Sequence, residues 1–361
     1  MEARPVRSGS VIARRYRAVR KIASGAMGEV WEAVHVELAH RVAVKVLRAD
    51  ALESREILVR FAREAFLLAH VQSEHVVRVI DFAPRGRHGP ALVMELVEGP
   101  TFADRLHEGG VSLAESVDVA IDVLHGLRAM HEARVIHRDV KPGNVILRKL
   151  HDGRTRAVLI DLGVGRMLEP VCDDGDVAMD ERAEVTSADR VVGTIEYMAP
   201  EQIVSCQTAG PLVDVYAVGA MLWRAVAGEH PFGDKHGADL IQEKVRTPVP
   251  RLRSGRRDSI GRRLENVVER AVAFSMRDRY QSADAMLDAL ESLRSAMRDE
   301  AIGLEESAED IVTVRAPRVR SRRRKALIAI AAVCATALAA LSTELIRHTP
   351  PAVHEVGVTT Q

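Results

Sequence analysis

The stretch VIHRDVKPGNVIL, residues 135–147, sets His137, Arg138, Asp139, Lys141 and Asn144 within eight positions. Apolar residues bracket the cluster, Val135 and Ile136 before it and Val145, Ile146 and Leu147 after it. A solvated surface loop needs no such brackets. The pattern reads as a loop held rigidly at the edge of a cleft, between two short buried strands. A carboxylate held there can accept the proton of an attacking hydroxyl. An ammonium two residues on can neutralise charge developing on a transferred phosphoryl group. A second carboxylate, Asp161, ends the apolar run in AVLIDLGVG at 157–165. Asn144 and Asp161 together offer hard oxygen ligands of the kind Mg²⁺ prefers.

Two upstream stretches could complete a nucleotide site. Ala23–Val30, ASGAMGEV, is a turn rich in small residues, which lets backbone N–H groups approach phosphate oxygens. Glycine turns also join ordinary hairpins, so this stretch alone decides nothing. Lys45 ends the strand-like VAVK. It can snorkel to the surface, or it can point into the cleft beside the turn and meet the α- and β-phosphates of a nucleotide. The second arrangement needs an anchoring carboxylate, and Glu64, nineteen residues later in RFAREAFLLAH, is the candidate.

These residues need elements to position them. YRAVRKI, EVWEAVHV and RVAVKVL alternate and are β-branched, and read as three antiparallel strands over 16–47. Residues 51–71 have helical periodicity, with Ile57, Phe61, Phe66 and Leu68 among the apolar positions. VVRVIDF and ALVMELV add two strands, giving a small five-stranded lobe with one helix. From Leu113 onward SVDVAIDVLHGLRAMHEA, VDVYAVGAMLWRAVAG and SADAMLDALESLRSAM predict a larger, mostly helical lobe. The cleft lies between the two, and the fold class is α+β. The divisions are a lead-in at 1–15, the small lobe at 16–98, the larger lobe at 99–295, a charged linker at 296–325, an apolar segment at 326–343 and a short tail at 344–361.

Composition limits the alternatives. The chain has 361 residues, 47% hydrophobic and 28% charged, which is globular usage. Its 51 basic and 51 acidic residues cancel, which gives no indication of a nucleic-acid partner. Three cysteines without metal-ligand spacing argue against a disulfide framework, and no HExxH motif occurs among the 14 His residues. No apolar stretch follows the N-terminal charges, so a secretory signal is not expected. Ala326–Thr343 carries no charge and reaches about 27 Å as a helix, close to the ~30 Å of a bilayer core. Arg318, Arg320, Arg322, Arg323, Arg324 and Lys325 precede it. A buried terminal helix is the other reading. The basic flank favours a single-pass span with residues 1–325 facing the cytosol.

Taken together, the glycine turn, VAVK, HRDVKPGN, DLG and MAPE at 198–201 resemble the eukaryotic-type (Hanks-type) serine/threonine protein kinases, and the bacterial receptor-like branch in particular. The resemblance covers roughly residues 10–295. It implies a bilobal protein kinase fold that binds ATP and Mg²⁺, with Mn²⁺ as an alternative. Asp139 would be the catalytic base, Lys141 the phosphate-contacting lysine, and Asn144 and Asp161 the metal ligands. Lys45 and Glu64 would form the ion pair that positions the phosphates. The nucleotide would lie against Ile22, Ala23, Ser24, Gly25, Ala26, Met27, Gly28, Glu29 and Val30. Val30, Ala43 and Ile146 would sandwich adenine, the backbone of Glu95 and Val97 would form the hinge, and Met94 would be the gatekeeper. Leu68, Val79, His137 and Leu162 occupy spine positions. Asp214 would hold the catalytic loop from below, and Glu201 and Arg279 would brace the larger lobe as a buried pair.

Lys141 and Gly193-Thr194 match the serine/threonine pattern, with Thr194 expected to contact Asp139 and Lys141. Arg138 implies control by phosphate on the segment 161–201, with Thr186 the leading site and Ser187 behind it. The acidic residues Asp173, Asp174, Asp176, Asp180, Glu181 and Glu184 could hold Arg138 instead. Implied partners are proteins with Ser/Thr acceptors, the bilayer, a second copy for autophosphorylation in trans, and phosphothreonine-reading domains. The sequence departs from the family pattern at Ala23, where the first glycine of the loop is expected, and at Leu162, where Phe is more common. A small-molecule phosphotransferase would typically lack Arg138 and the APE-type segment. A pseudokinase adaptor would not need Lys45, Asp139, Asn144 and Asp161 together.

Overall fold

In the computed structural model the residues described are 4–25, 28–48, 50–161, 195–204 and 210–313. The chain divides into two units, Met1–Ala301 and Ile302–Gln361. The first opens with an antiparallel sheet in the order β1-β2-β3-β4-β6-β5. Its strands are β1 (Val11–Ile12), β2 (Tyr16–Ser24), β3 (Gly28–His35), β4 (Arg41–Leu47), β5 (Val79–Ala83) and β6 (Ala91–Glu95). The expected five strands are therefore six. Val11 and Ile12 of the supposed lead-in pair with Arg17 and Tyr16, and a strand of two residues is too short to leave an alternating signature.

One helix, α1 (Arg55–Ala69), crosses this lobe, capped by the Ser54 hydroxyl, which accepts from the Ile57 N–H. Phe61 and Leu68 are buried under it, as their spacing predicts. Phe66 is not a core residue. Its ring is 64% exposed and lies against His70 one turn on. The side chain falls on the outer face of α1, which hydrophobicity alone does not reveal.

The larger lobe contains α2 (Phe102–Glu108), α3 (Leu113–Glu132), the hairpin β7 (Val145–Lys149) and β8 (Thr155–Leu159), α4 (Pro200–Val204), α5 (Leu212–Ala227), α6 (Gly237–Arg246), α7 (Ser259–Ala271) and α8 (Ala283–Thr313). Only the C-terminal bracket of the opening stretch is a strand. Val135 and Ile136 belong to an extended segment after α3, with Val135 buried as a loop residue. α3 and α5 are buried along most of their length and form the centre of the main core. At Gly219 a Cβ would lie 2.6 Å from that of Ala271, so α5 and α7 meet there with no room for a side chain.

Two apolar clusters lie on opposite faces of the sheet. Leu92 and Met94 join the main core with α1 and the large lobe, whereas Val42, Val44 and Val46 pack with Val6, Ile12, Tyr16 and Trp31. The alternation along β4 leaves Ala43 and Lys45 on the face opposite those valines. The charged linker expected at 296–325 is helical backbone as far as Thr313, and Ala296 and Met297 still pack on the core. Among the described residues no helix is long and apolar enough to cross a membrane, and 326–343 lies outside them.

Lys244 of α6 is buried, 1% exposed, and donates to the Glu196 carbonyl at 2.7 Å. Its ammonium also lies 5.1 Å from the Tyr216 ring centre and 5.8 Å from that of Phe232. Burial lowers its pKa to about 7, against the opposing pull of Glu196. An unfolded lysine keeps its proton until far higher pH, so between about 7 and about 10.5 the unfolded chain binds more protons here. Stability should rise with pH across that window by up to about 1.4 kcal/mol per pH unit. Urea unfolding of Lys244→Met beside the wild type checks this, the variant losing that slope.

Candidate active site

The loop between α3 and β7 is built on one buried carboxylate. Asp214, at the start of α5 and 0% exposed, accepts from the backbone N–H groups of His137 (2.9 Å) and Arg138 (2.8 Å). His131 Nε2 lies 2.8 Å from the same carboxylate. These contacts hold Arg138 at φ 64°, a left-handed conformation that side chains other than glycine rarely adopt. Gln202 Nε2 donates to the Arg138 carbonyl at 2.7 Å, which ties α4 to the same turn. Val135 and Val140 are buried in the main core on either side, so apolar brackets do fix the loop.

The turn points Asp139, Lys141 and Asn144 at one another. Lys141 Nζ donates to Asp139 Oδ2 at 2.7 Å, and Asn144 Nδ2 donates to the same oxygen at 3.0 Å and to the Asp139 carbonyl at 2.9 Å. The amide nitrogen of Asn144 is thereby engaged, which leaves its oxygen as the atom that can face a cation. The Ile160 N–H donates to the Asn144 carbonyl at 2.9 Å, and through it the end of β8 is fixed to the loop. Asp161 follows at φ 63°.

Lys45 joins the two lobes. Its ammonium donates to Glu64 of α1 at 2.8 Å and also to Asp161. Lys45 is half-buried, and the lost water opposes its charge, but Asp161 and Glu64 outweigh that and hold it protonated. Burial pushes the Glu64 carboxyl up to about 7, Lys45 pulling it down and Asp161 adding to the rise. Partial desolvation opposes the ionisation of Asp161, yet Lys45 holds it below the usual carboxylate range. Asn144 and Asp161 are the two oxygen donors that fit a Mg²⁺ ion, which takes its remaining positions from phosphate and water. Among the described residues no group of three or more His, Cys, Asp or Glu could hold a metal alone.

The rest of the predicted cleft is distributed as follows. Gly25 N–H donates to the Gly28 carbonyl at 2.6 Å and closes the turn, while Ala26 and Met27 lie outside the described residues. Gly28 has a second reason to be glycine. A Cβ there would lie 2.3 Å from the Val46 carbonyl oxygen on β4. The Glu29 carboxylate is bound to Lys21 and to Trp31 Nε1. Ile22 and Ala23 are exposed, Ser24 and Val30 half-buried, and Ala43, Met94 and Val97 buried. Glu95 donates its N–H to the Arg78 carbonyl at 2.9 Å, and its carboxylate meets Arg148 at 2.8 Å. Ile146 lies half-buried on β7. Thr186, Ser187, Thr194 and Leu162 fall outside the described residues.

Below the cleft, Arg279 is fully buried and makes two hydrogen bonds to Glu201, at 2.6 and 2.8 Å. Sequence reading missed what braces residues 195–199. Glu196 meets His230 at 2.6 Å, its carboxyl opposed by burial but held below the usual range by that histidine. The Tyr197 ring stacks edge-on against His230. Lys244 takes the carbonyl of Glu196. These partners are separated by more than thirty positions from Glu196 or Tyr197 and carry no motif. The contact of His131 with Asp214 was equally invisible.

Comparison with known proteins is consistent with this geometry. Residues 16–292 match the protein kinase domain family. The chain is 35% identical over 284 residues to serine/threonine-protein kinase pkn2 of Myxococcus xanthus, an alignment covering 78% of this chain and 33% of that protein. It is 31% identical over 297 residues to PknA of Mycobacterium tuberculosis, covering 81% of this chain and 64% of the relative. For PknL of the same species the identity is 33% over 315 residues, with 87% and 72% covered. The chain thus spans a third of pkn2 and under two thirds of PknA. In fold, it superposes on the crystal structure of the M. tuberculosis PknI kinase domain with a TM-score of 0.57 at 24% identity, covering 80% of this chain and all of that one. With most of its length matched from residue 16 to residue 292, the chain belongs to the protein kinase family, alongside bacterial serine/threonine kinases.

Proposed function

We propose that this chain transfers the γ-phosphoryl group of ATP to serine and threonine hydroxyls of proteins. The observation that carries the reading is the Lys45–Glu64 ion pair, made while Asp139, Lys141 and Asn144 converge and Asp161 reaches Lys45. A scaffold that only bound partners would have no use for that convergence. In the proposed step the substrate hydroxyl oxygen forms a bond to the γ-phosphorus and the bond to the ADP oxygen breaks. The hydroxyl proton passes to Asp139, while Lys141 neutralises charge on the transferred group. Lys45, anchored by Glu64, holds the α- and β-phosphates. Mg²⁺, held by Asn144 and Asp161, would supply positive charge to the phosphates.

The choice of an aliphatic acceptor rests on Lys141 and on the GT at 193–194, together with relatives named as serine/threonine kinases. We further propose autophosphorylation at Thr186 or Ser187, read by Arg138, and attachment to a membrane through 326–343. The uncharged run and the basic block before it support that attachment.

Incubated with Mg-ATP, the chain should acquire phosphate on serine or threonine by mass spectrometry. Asp139→Asn should lower transfer by about 10²–10⁴-fold while still binding ATP. Nucleotide binding with no transfer to any protein in the wild type would leave a scaffold as the reading. A second measurement isolates Glu64. Its carboxylate is lost as pH falls through about 7, and the pair with Lys45 goes with it. The kcat/KM for ATP should therefore show an acid limb near that pH. Glu64→Gln should lower kcat/KM at pH 8 by at least about tenfold and should abolish the limb.

A further inference from the structure

Away from the cleft, a cavity of about 800 Å³ opens between the lead-in segment and the β5–β6 loop. Four arginines line it, Arg4, Arg7, Arg14 and Arg87, all of them exposed, with Ser10 and His88 beside them. No lining residue is acidic. Elsewhere, many arginines sit against carboxylates, Arg41 on Glu32, Arg148 on Glu95 and Arg156 on Glu74 among them. Among the described residues no carboxylate lies within ion-pairing distance of these four.

The walls are fixed rather than loose. Val6 and Ile12 are buried in the outer apolar cluster and pin the lead-in to the sheet. The Arg4 N–H donates to the Arg87 carbonyl at 3.0 Å, and His88 Nδ1 lies 2.8 Å from the Arg4 carbonyl, so two walls are joined. The Gly9 N–H donates to the Ala18 carbonyl at 2.8 Å, and the Arg7 N–H donates to Ser10 Oγ at 3.0 Å. Arg14 stands at φ 63° in the turn between β1 and β2.

Like charges set around one cavity repel unless an anion lies between them. A guanidinium presents paired N–H donors that match phosphate oxygens. One phosphomonoester carries about −1.5 to −2 and would leave half of this charge unmatched. The volume is that of a small-molecule pocket, and a flat lipid surface would not need a concave wall. We propose that this cavity binds a small anion bearing two adjacent phosphoryl groups, such as pyrophosphate or a molecule with a diphosphate arm.

Calorimetry on the whole chain tests the assignment, with the catalytic cleft first saturated with a non-hydrolysable ATP analogue and Mg²⁺. Pyrophosphate should bind at one further site per chain, at least about tenfold more tightly than orthophosphate and more weakly as salt is raised. Arg14→Gln combined with Arg87→Gln should weaken that binding at least about tenfold, with thermal melting unchanged, and Arg14→Lys with Arg87→Lys should restore part of it. A nucleoside diphosphate and free pyrophosphate, titrated separately, distinguish the two sources of the group. The absence of a further pyrophosphate site, or one that the double substitution leaves intact, would overturn the proposal. So would binding to anionic lipid vesicles without any response to pyrophosphate, which would make the basic wall a membrane contact.

Discussion

The loop that carries Asp139, Lys141 and Asn144 depends on a carboxylate buried from solvent. Asp214 is a buried anion, a state that costs several kcal/mol unless hydrogen bonds replace the lost water. Two consecutive backbone N–H groups and the His131 ring replace it. Consecutive N–H groups reach one carboxylate only if the chain turns sharply between them, and Arg138 adopts a left-handed conformation to allow it. The direction of Asp139, and through it of Lys141 and Asn144, follows from that turn. The anchor itself comes from a helix whose residues 213–223 are all buried, so the loop inherits the rigidity of the main core.

The second constraint is a charge shared across distance. Lys45 meets carboxylates from α1 and from the end of β8, nineteen and 116 residues away in sequence. Lys45 lowers both carboxyls, but burial and the neighbouring Asp161 outweigh it at Glu64, whose pKa rises while that of Asp161 falls, so the two acids are not equivalent although both touch the same nitrogen. The small lobe, its helix and the β7–β8 hairpin are thereby related through one side chain.

What could be read in the sequence was whatever depends on local spacing. The loop at 137–144, the strand ending in Lys45 and the helix carrying Glu64 each declare themselves within a dozen residues, and their conjunction pointed to the fold. Glu201 with Arg279 and Asp214 under the loop came from resemblance rather than from spacing. Three kinds of feature escaped. A strand of two residues, Val11–Ile12, is shorter than any period. The outward placement of Phe66 depends on what packs against α1. His230 and Lys244, which meet Glu196, come from the loop between α5 and α6 and from α6 itself, and only the folded chain brings them together.

Gly28 shows how two demands can fall on one atom. By resemblance it is small so that a phosphate can approach, yet on this backbone a Cβ would already collide with the Val46 carbonyl of the neighbouring strand. A glycine retained at this position is therefore no measure of whether a kinase still binds nucleotide. Even a descendant that had lost its chemistry would be held to glycine by the sheet. Loss of function in such a chain would have to be sought at Asp139 or Asn144, whose side chains the sheet does not require.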